Sequence, residues 1–350
     1  MVNYHSKILL HRWLLQRRKH KASGFTLTEV LISVAIAGVI VSGLLSLVVE
    51  LLQIDRREIT LERVQRDMQQ ALDYISDDLE EAVYVYDNTR LLEIVEDIDE
   101  LNDRVGAGGE GTGDAVPLLA FWRTVPLDDA DLEDCNGTDE ACRVARTRRT
   151  SYSLVVYLQQ HRDDADADSA WQGQSVIRRY ELPEYPDTAN FSATDLDEET
   201  SEGYVNPVDS LGKTNFEVWA PNAAPAVVAG ESPVLVDFVR EADIDAPNAI
   251  DCRALIFDLN SRLIGEIDPT ANDYDYVLSP AEATEETGFF ACIQEPQLAS
   301  GSFRSTQDVY LFLRGNAQSE NRFLGPAGKD SSLPVLQTQV KLRGVIDKDG

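Results

Sequence analysis

Residues 30–49 read VLISVAIAGVIVSGLLSLVV, a run of twenty residues without a charged side chain. A helix rises about 1.5 Å per residue, so this run spans about 30 Å, the thickness of the hydrocarbon layer of a bilayer. A helix buried in a soluble protein usually keeps one polar face, whereas this run carries no charge on any side. The run therefore predicts a transmembrane helix, which we place over residues 25–52.

The charges on either side of this run are unequal. Residues 1–24 hold six basic side chains and no acidic one, while the rest of the chain holds 25 basic against 61 acidic residues. Basic residues flanking a transmembrane helix tend to stay in the cytoplasm. The pattern predicts a single-pass protein of the cytoplasmic membrane, with its N-terminus inside and an acidic body outside. The formal charge of −30 also argues against broad nucleic-acid binding, because phosphate would be repelled.

The junction between the basic segment and the apolar run reads KASGFTLTE, residues 21–29. A secretory signal would carry its small-residue cleavage site after the apolar run, but here the informative residues come before it. Gly24 precedes Phe25, and Glu29 is a lone carboxylate at the edge of the run. Because glycine lacks a Cβ, the backbone at Gly24 is free of the steric hindrance that a branched side chain would cause.

This junction resembles the processing site of type IV pilins and type II secretion pseudopilins, in which a basic leader ends in Gly, Phe commonly follows, and Glu is fifth after the cut. The resemblance implies that a prepilin peptidase removes leader 1–24 by cutting between Gly24 and Phe25, and then methylates the amine of Phe25. It also implies that Glu29 pairs with that amine on a neighbouring subunit during assembly. The alternative for Glu29 is an ordinary interfacial carboxylate. The implied partners are the peptidase, other pilins or pseudopilins and the assembly platform, with no cofactor.

A second helical pattern follows the apolar run. Apolar residues recur at three-or-four spacing with charges on the other face, and no proline interrupts residues 25–86. The pattern predicts an amphipathic spine helix over residues 53–86, continuous with the transmembrane segment from Phe25 to Ala82. Its apolar positions are Leu61, Val64, Met68, Leu72, Ile75, Leu79 and Ala82.

Residues 87–350 change to short β-rich runs between acidic, Gly-rich or Pro-rich connections. They predict an acidic head of antiparallel sheet packed on the spine, and hence an α+β fold. Tyr152, Leu154, Val156 and Leu158 alternate along one run. Residues 183–232 are a long excursion or a boundary between two subdomains. The predicted strands are 117–125, 151–159, 175–182, 234–239, 254–259, 289–294, 308–314 and 336–345.

The four cysteines all follow the apolar run and form two local pairs. On an exported domain an even number favours disulfides, with Cys135 to Cys142 and Cys252 to Cys292 as the preferred connectivity of three. Small buried thiols are the alternative. Zinc is disfavoured, because His161 is the single histidine after the leader and no finger-like spacing occurs.

Several patterns imitate ligand or catalytic sites without the context these sites need. Residues 106–111 match GxGxxG, but no clear strand precedes them and no helix pattern follows. Residues 212–214 resemble the end of a phosphate loop, but the glycine that such a loop requires before them is missing. Asp164, Asp166 and Asp168 alternate as at the start of a calcium loop, but Ser169 and Ser175 replace its Gly and Glu, which favours a solvated acidic turn. With no triad signature, we expect no enzyme activity.

The tail, FRSTQDVYLFLRGNA at residues 303–317 and LQTQV at residues 336–340, resembles cyanobacterial pseudopilins linked to hormogonium polysaccharide secretion. The resemblance implies a minor pilin or pseudopilin with a large head, supporting polysaccharide secretion or motility. A surface-displayed tip adhesin is the alternative within the family. A single-pass receptor or an anchored enzyme is the alternative outside it.

Overall fold

The computed structural model describes residues 24–105, 115–127, 132, 140–161, 171, 173, 175–186, 200–208, 216–222, 231–241, 246–264, 275–295, 306–316 and 333–343. The chain divides into two compact units, Met1–Asp55 and Arg56–Gly350. One helix, α1 (Leu27–Glu80), contributes residues to both units. The fold described below is that of the second unit.

The described residues form four further helices and nine strands. The helices are α2 (Asn88–Asp97), α3 (Asp99–Val105), α4 (Glu140–Arg148) and α5 (Cys252–Ile264). The strands are β1 (Ala82–Val85), β2 (Ala115–Pro126), β3 (Thr150–His161), β4 (Ser175–Pro183), β5 (Val234–Val236), β6 (Tyr276–Ser279), β7 (Phe289–Gln294), β8 (Asp308–Leu313) and β9 (Leu336–Lys341).

The strands form two antiparallel sheets. The first sheet has the order β1-β2-β3-β4-β5, and the second has the order β6-β7-β8-β9. Every pairing within them is antiparallel. A long N-terminal helix followed by antiparallel sheets confirms the predicted α+β class.

The second half of α1 packs against both sheets and forms the central core with them. Its apolar side chains recur every three or four residues, so they share one face of the helix. That face meets alternate residues of the strands, such as Val155 of β3 and Leu311 of β8. The helix contributes Val64, Met68, Ala71, Leu72, Ile75 and Leu79 to this core.

Both sheets also bury the face turned away from α1. On the first sheet, Leu154, Val156 and Leu158 join residues of α2 and α3 in an outer core, so the predicted alternation of β3 is confirmed. Phe216 and Trp219 belong to the same outer core. The described part of residues 183–232 therefore packs back onto the first sheet, which favours an excursion over a subdomain boundary. On the second sheet, α5 covers the outward-facing residues of β7 and β8.

A buried carboxylate on α1 binds two arginines of the first sheet. Asp78 is 5% exposed, and its Oδ2 accepts hydrogen bonds from Nε of Arg179 at 2.7 Å and from Oη of Tyr157 at 2.6 Å. Its Oδ1 accepts from Nη1 of Arg123 at 3.0 Å. Both arginines also donate to the carboxylate of Glu181. We call Asp78, Arg123, Arg179 and Glu181 the ion cluster; it joins α1 to strands β2 and β4.

The contacts in the ion cluster shift the pKa of Glu181 and of Arg179. Burial alone would raise the pKa of Glu181, but its hydrogen bond to Arg179 and the positive charges of Arg179 and Arg123 outweigh burial and lower the pKa to about 2. Burial alone would lower the pKa of Arg179, but hydrogen bonds to Asp78 and Glu181 raise it instead. Both shifts favour the charged forms of Glu181 and Arg179 at neutral pH.

Two predictions about secondary structure are wrong. Residues 254–259 lie in helix α5 and not in a strand, because Asp251 caps a helix there: its Oδ1 accepts from the amide of Ala254 at 3.2 Å. Residues 82–85, assigned to the spine helix, form strand β1. Glu81 is a turn, and Ala82 pairs with Arg123 of β2, so the sheet ends the helix.

Candidate processing segment and membrane-spanning helix

The bond between Gly24 and Phe25 lies outside helix α1. Residues 24–26 have no regular secondary structure, and Phe25 is 78% exposed. A Cβ built on Gly24 would meet nothing within 4 Å. Packing among the described residues therefore does not require glycine at position 24, so any requirement for glycine there must come from residues outside those described or from a molecule that binds the segment.

Thr26 is the residue that starts α1. Its carbonyl accepts hydrogen bonds from the amides of Glu29 at 3.0 Å and Val30 at 3.2 Å. Its Oγ1 also accepts from the amide of Glu29 at 3.3 Å, which is the geometry of an N-cap. Because the cap satisfies amides that would otherwise lack partners, it favours a helix start at Leu27. The Gly24–Phe25 peptide bond is thereby left in non-helical, accessible backbone.

Glu29 lies in the first turn of α1 and is exposed. A carboxylate is favourable there, since the amides of the first turn carry a partial positive charge. The hydroxyl of Ser33 donates to the backbone carbonyl of Glu29, so it does not neutralise the side chain. Among the described residues, no cation forms an ion pair with Glu29. A counter-charge would have to come from another molecule or from residues outside those described.

The first half of α1 has the length and composition of a membrane-spanning helix. Its most apolar window has a mean hydropathy of 2.6, and none of that window is buried. Large apolar side chains from Leu27 to Ile54 are exposed along this stretch. An exposed apolar surface of this extent is stable in a lipid environment and unfavourable in water. This is the one helix in the described part of the chain that meets the criteria for a span.

One of the two expected cysteine pairs lies entirely within the described residues. Sγ atoms of Cys252 and Cys292 are bonded, with their Cα atoms 5.7 Å apart. The bond ties the first residue of α5 to the outward face of β7. Cys142 of α4 is also disulfide-bonded. Its expected partner, Cys135, lies outside the described residues.

The described residues contain no candidate metal site, and most of the patterns that imitate ligand sites lie outside them. Nδ1 of His161 lies 3.2 Å from Oε1 of Glu241, a partly exposed contact at the end of β3. The described residues contain no group of three or more His, Cys, Asp or Glu side chains able to hold a metal ion. Residues 106–111 and 212–214, and the calcium candidates Asp164, Asp166 and Asp168, lie outside the described residues.

A cavity of about 850 Å³ opens beside the start of α5. Its wall includes Asp251, Phe290, Phe312, Glu286 and Arg314. Burial lowers the pKa of Arg314, and the nearby positive charge of Arg240 lowers it further. Nη1 of Arg314 lies 3.8 Å from Oε2 of Glu286, so the charged groups on this wall are already close to one another. The wall shows no arrangement of nucleophile and base.

Sequence reasoning missed the ion cluster. Its members lie on α1, β2 and β4, and the hydrogen-bonded pair Asp78 and Arg179 is separated by 101 residues. No local motif marks them among 61 acidic residues. A charged residue close to the apolar face of a predicted helix or strand was the one available sign of such a cluster in the sequence.

Comparison with known proteins gives one match. Residues 19–45 match the family model described as Prokaryotic N-terminal methylation motif. No curated protein and no solved structure matches the chain. The matched residues include Gly24, Phe25, Glu29 and much of the exposed apolar part of α1. The chain therefore carries the N-terminal signal of type IV pilin-like precursors, which supports a pilin-like or pseudopilin subunit that associates with the membrane and is processed by a prepilin peptidase.

Proposed function

We propose that the chain is a minor pilin or pseudopilin, made as a precursor whose leader is removed between Gly24 and Phe25. The observation that carries the proposal is that the proposed cut, the start of the helix and the methylation motif fall in the same segment. The motif covers residues 19–45, and within it the helix begins at Leu27, so that two residues separate it from the proposed cut. An accessible bond directly before an exposed apolar helix is what a membrane-bound peptidase needs.

The proposed orientation places residues 1–24 in the cytoplasm and the acidic head on the far side. Its support is the six basic residues before the apolar run and the strong acidic excess after it. The cut then falls on the cytoplasmic face, and the apolar part of α1 remains as the single anchor of the mature chain.

Glu29 has the proposed role of positioning subunits during assembly. A carboxylate in hydrocarbon is costly when unpaired, and no partner for Glu29 exists among the described residues. The amine of Phe25 on a neighbouring subunit supplies the opposite charge. The family permits subunits at the extreme tip of a filament to lack this carboxylate, so its presence supports a position below the tip.

For the pathway, we propose export of polysaccharide or motility. The support is the resemblance of residues 303–317 and 336–340 to pseudopilins of hormogonium polysaccharide secretion. Residues 308–313 form β8 and residues 336–340 lie in β9, and Val309, Leu311, Leu313 and Val340 help build the central core. Glycosyltransferase and pilin-like genes beside this gene would support the pathway, and their absence would count against it.

Mass spectrometry of the chain extracted from its native membrane tests the processing step. The expected N-terminal peptide begins at methylated Phe25, and an intact leader on the mature chain would refute the proposal. Gly24→Leu should leave the precursor uncut but still in the membrane fraction, since insertion depends on the apolar run. Ala22→Leu places the same side chain two residues earlier and should be cut normally.

A further inference from the structure

The cavity beside the start of α5 has the size of a small-molecule site. Its volume of about 850 Å³ lies within the range of about 300–1,000 Å³ that is usual for ligand pockets. Its described walls come from the first turn of α5, the turn before β7, and strands β7, β8 and β9. The cavity is thus a product of the tertiary fold, and none of the functions proposed above uses it.

Covalent and hydrogen bonds hold these walls in place. The disulfide between Cys252 and Cys292 ties the first turn of α5 to β7. The amide of Ile250 donates to the carbonyl of Ala283 at 2.9 Å, which joins the segment before α5 to the turn before β7. Phe312 is paired with both neighbouring strands. A cavity with walls fixed in this way can bind a ligand without first reorganising.

Apolar side chains form one part of the wall. The rings of Phe290 and Phe312 stack with their centroids 4.6 Å apart and their planes 11° from parallel. Ile250 and Leu255 also line the cavity and are half-buried, so part of each side chain remains uncovered. Val335 is 38% exposed beside them. This part of the wall favours a ligand with an apolar body, because binding removes both apolar surfaces from water.

The charged part of the wall has an excess of carboxylates. Arg314 is the one cation among the described lining residues, and its Nη1 lies 3.8 Å from Oε2 of Glu286. Arg240 donates a hydrogen bond to the same carboxylate. Asp251 and Glu285 are exposed, and neither forms an ion pair within the described part of the chain. Even with Arg240 counted, three carboxylates face two guanidinium groups, so the charge left over is negative.

Two features would favour an anion, but each already has a partner. The amides at the start of a helix attract negative charge, and at α5 the carboxylate of Asp251 supplies it: its Oδ1 accepts from the amide of Ala254 at 3.2 Å. The guanidinium of Arg314 has Glu286 beside it. An incoming carboxylate would therefore meet Arg314 together with Glu286 and Glu285, both of which would repel it.

We propose that the cavity binds an organic cation, a protonated amine or guanidine carried on an apolar body. The apolar body lies against the stacked rings of Phe290 and Phe312, and the cation lies at the open edge beside Glu285 and Asp251. Because these two carboxylates are exposed to water, they select for charge, while the apolar contact supplies most of the affinity. The site is independent of the leader and of the membrane-spanning part of α1.

A matched set of small probes tests the site in the full mature chain, held in nanodiscs of neutral lipid, with empty nanodiscs as the blank. Phenethylamine, phenethyl alcohol and hydrocinnamate carry the same apolar body with a positive, a neutral and a negative group. A ligand-observed NMR titration gives the Kd of each probe. The amine should bind about fivefold more tightly than the alcohol, since exposed charge pairs change affinity by about that factor at most, and hydrocinnamate should bind more weakly than the alcohol.

Variants of the wall locate the binding. Glu285→Gln with Asp251→Asn should lower the affinity for phenethylamine about fivefold and leave that for the alcohol unchanged, and asparagine can still cap α5. The matched control is Glu282→Gln, which removes an exposed carboxylate that does not line the cavity and should change neither affinity. Ala254→Leu adds bulk at an exposed position of the wall and should weaken the binding of both probes.

Several results would overturn the proposal. Hydrocinnamate that binds as tightly as phenethylamine would show that the wall does not select a cation, and binding of none of the probes would show that the cavity is no site for this class. An amine affinity that survives Ala254→Leu would place the binding elsewhere. An affinity that survives the loss of both carboxylates would remove the charge argument. Glu285→Gln alone, at an exposed position, gives the same direction of change if Asp251→Asn impairs folding.

Discussion

Replacing Asp78 by asparagine should destabilise the head strongly, because it removes one charge from the ion cluster without changing side-chain size. Arg179 and Arg123 would keep Glu181 as a shared counter-ion, but Arg179 would lose its charged partner at 2.7 Å. Removing one partner of a buried ion pair typically costs 3–5 kcal/mol, and the remaining carboxylate argues for the lower end, about 3 kcal/mol.

Urea unfolding of the mature chain in detergent measures this loss. Trp122 and Trp219 are buried in the outer core, so their fluorescence reports unfolding of the head. With a slope of about 3 kcal/mol per molar urea, the midpoint should fall by about 1 M while the slope stays unchanged. Asp77→Asn makes the same chemical change at an exposed neighbouring position and should move the midpoint little.

A second variant separates the charge effect from the loss of contact. In the double variant Asp78→Leu with Arg179→Met, neither partner remains charged, and stability should recover well above that of Asp78→Asn. A midpoint shift below about 0.3 M in Asp78→Asn would refute the reasoning, since it would mean that Arg179 needs no charged partner on α1.

Three further predictions concern the head and the anchor. The pKa of Glu181 is lowered from 4.5 to about 2, so its contribution to stability is present above pH 4.5 and lost as the pH falls towards 2; Glu181→Gln should flatten that part of the pH profile. Replacing Cys252 and Cys292 by alanine should cost about 4 kcal/mol, since their separation is 40 residues, and equal stability of oxidised and reduced chains would contradict this. Glu29→Val should be inserted and cut normally but be missing from sheared filaments, while Glu50→Val should still be incorporated; normal incorporation of Glu29→Val would make Glu29 an ordinary interfacial residue.

The elements that could be predicted from the sequence are those with a complete local pattern. The start of helix α1 was predicted within two residues, because its apolar run and three-or-four spacing need no partner to be recognised, whereas the spine helix was extended to residue 86, beyond its end at Glu80. Strand β3 was predicted because apolar residues alternate along its sequence. These alternating residues build the outer core, and the other face of the strand, with Val155, is buried too.

The missed elements show where local patterns are ambiguous. The run at residues 254–259 is too short to separate a strand from a helix by its apolar content. The cap at Asp251 was the usable signal for α5, and Asp87, whose Oδ1 accepts from the amide of Arg90 at 2.8 Å, was the signal for α2. The ion cluster depends on how α1 packs on the first sheet, so no single segment contains it.

The processing segment, residues 24–29, does not depend on packing between distant segments as the ion cluster does. Gly24, Phe25 and Glu29 lie within six residues of one another and are exposed, so the roles proposed for them depend on residue type and spacing more than on tertiary contacts. This is why a single sequence is enough to propose them.

The junction between α1 and β1 has a mechanical consequence. One residue, Glu81, separates the helix from the strand, and its carbonyl accepts a hydrogen bond from the amide of Thr124 at 3.4 Å. A connection of one residue cannot lengthen before the helix and the strand are themselves strained. Tension applied along the second half of α1 would therefore load the hydrogen bonds between β1 and β2 and the packed face of the helix at the same moment, and the head would resist pulling as one body until its core gave way.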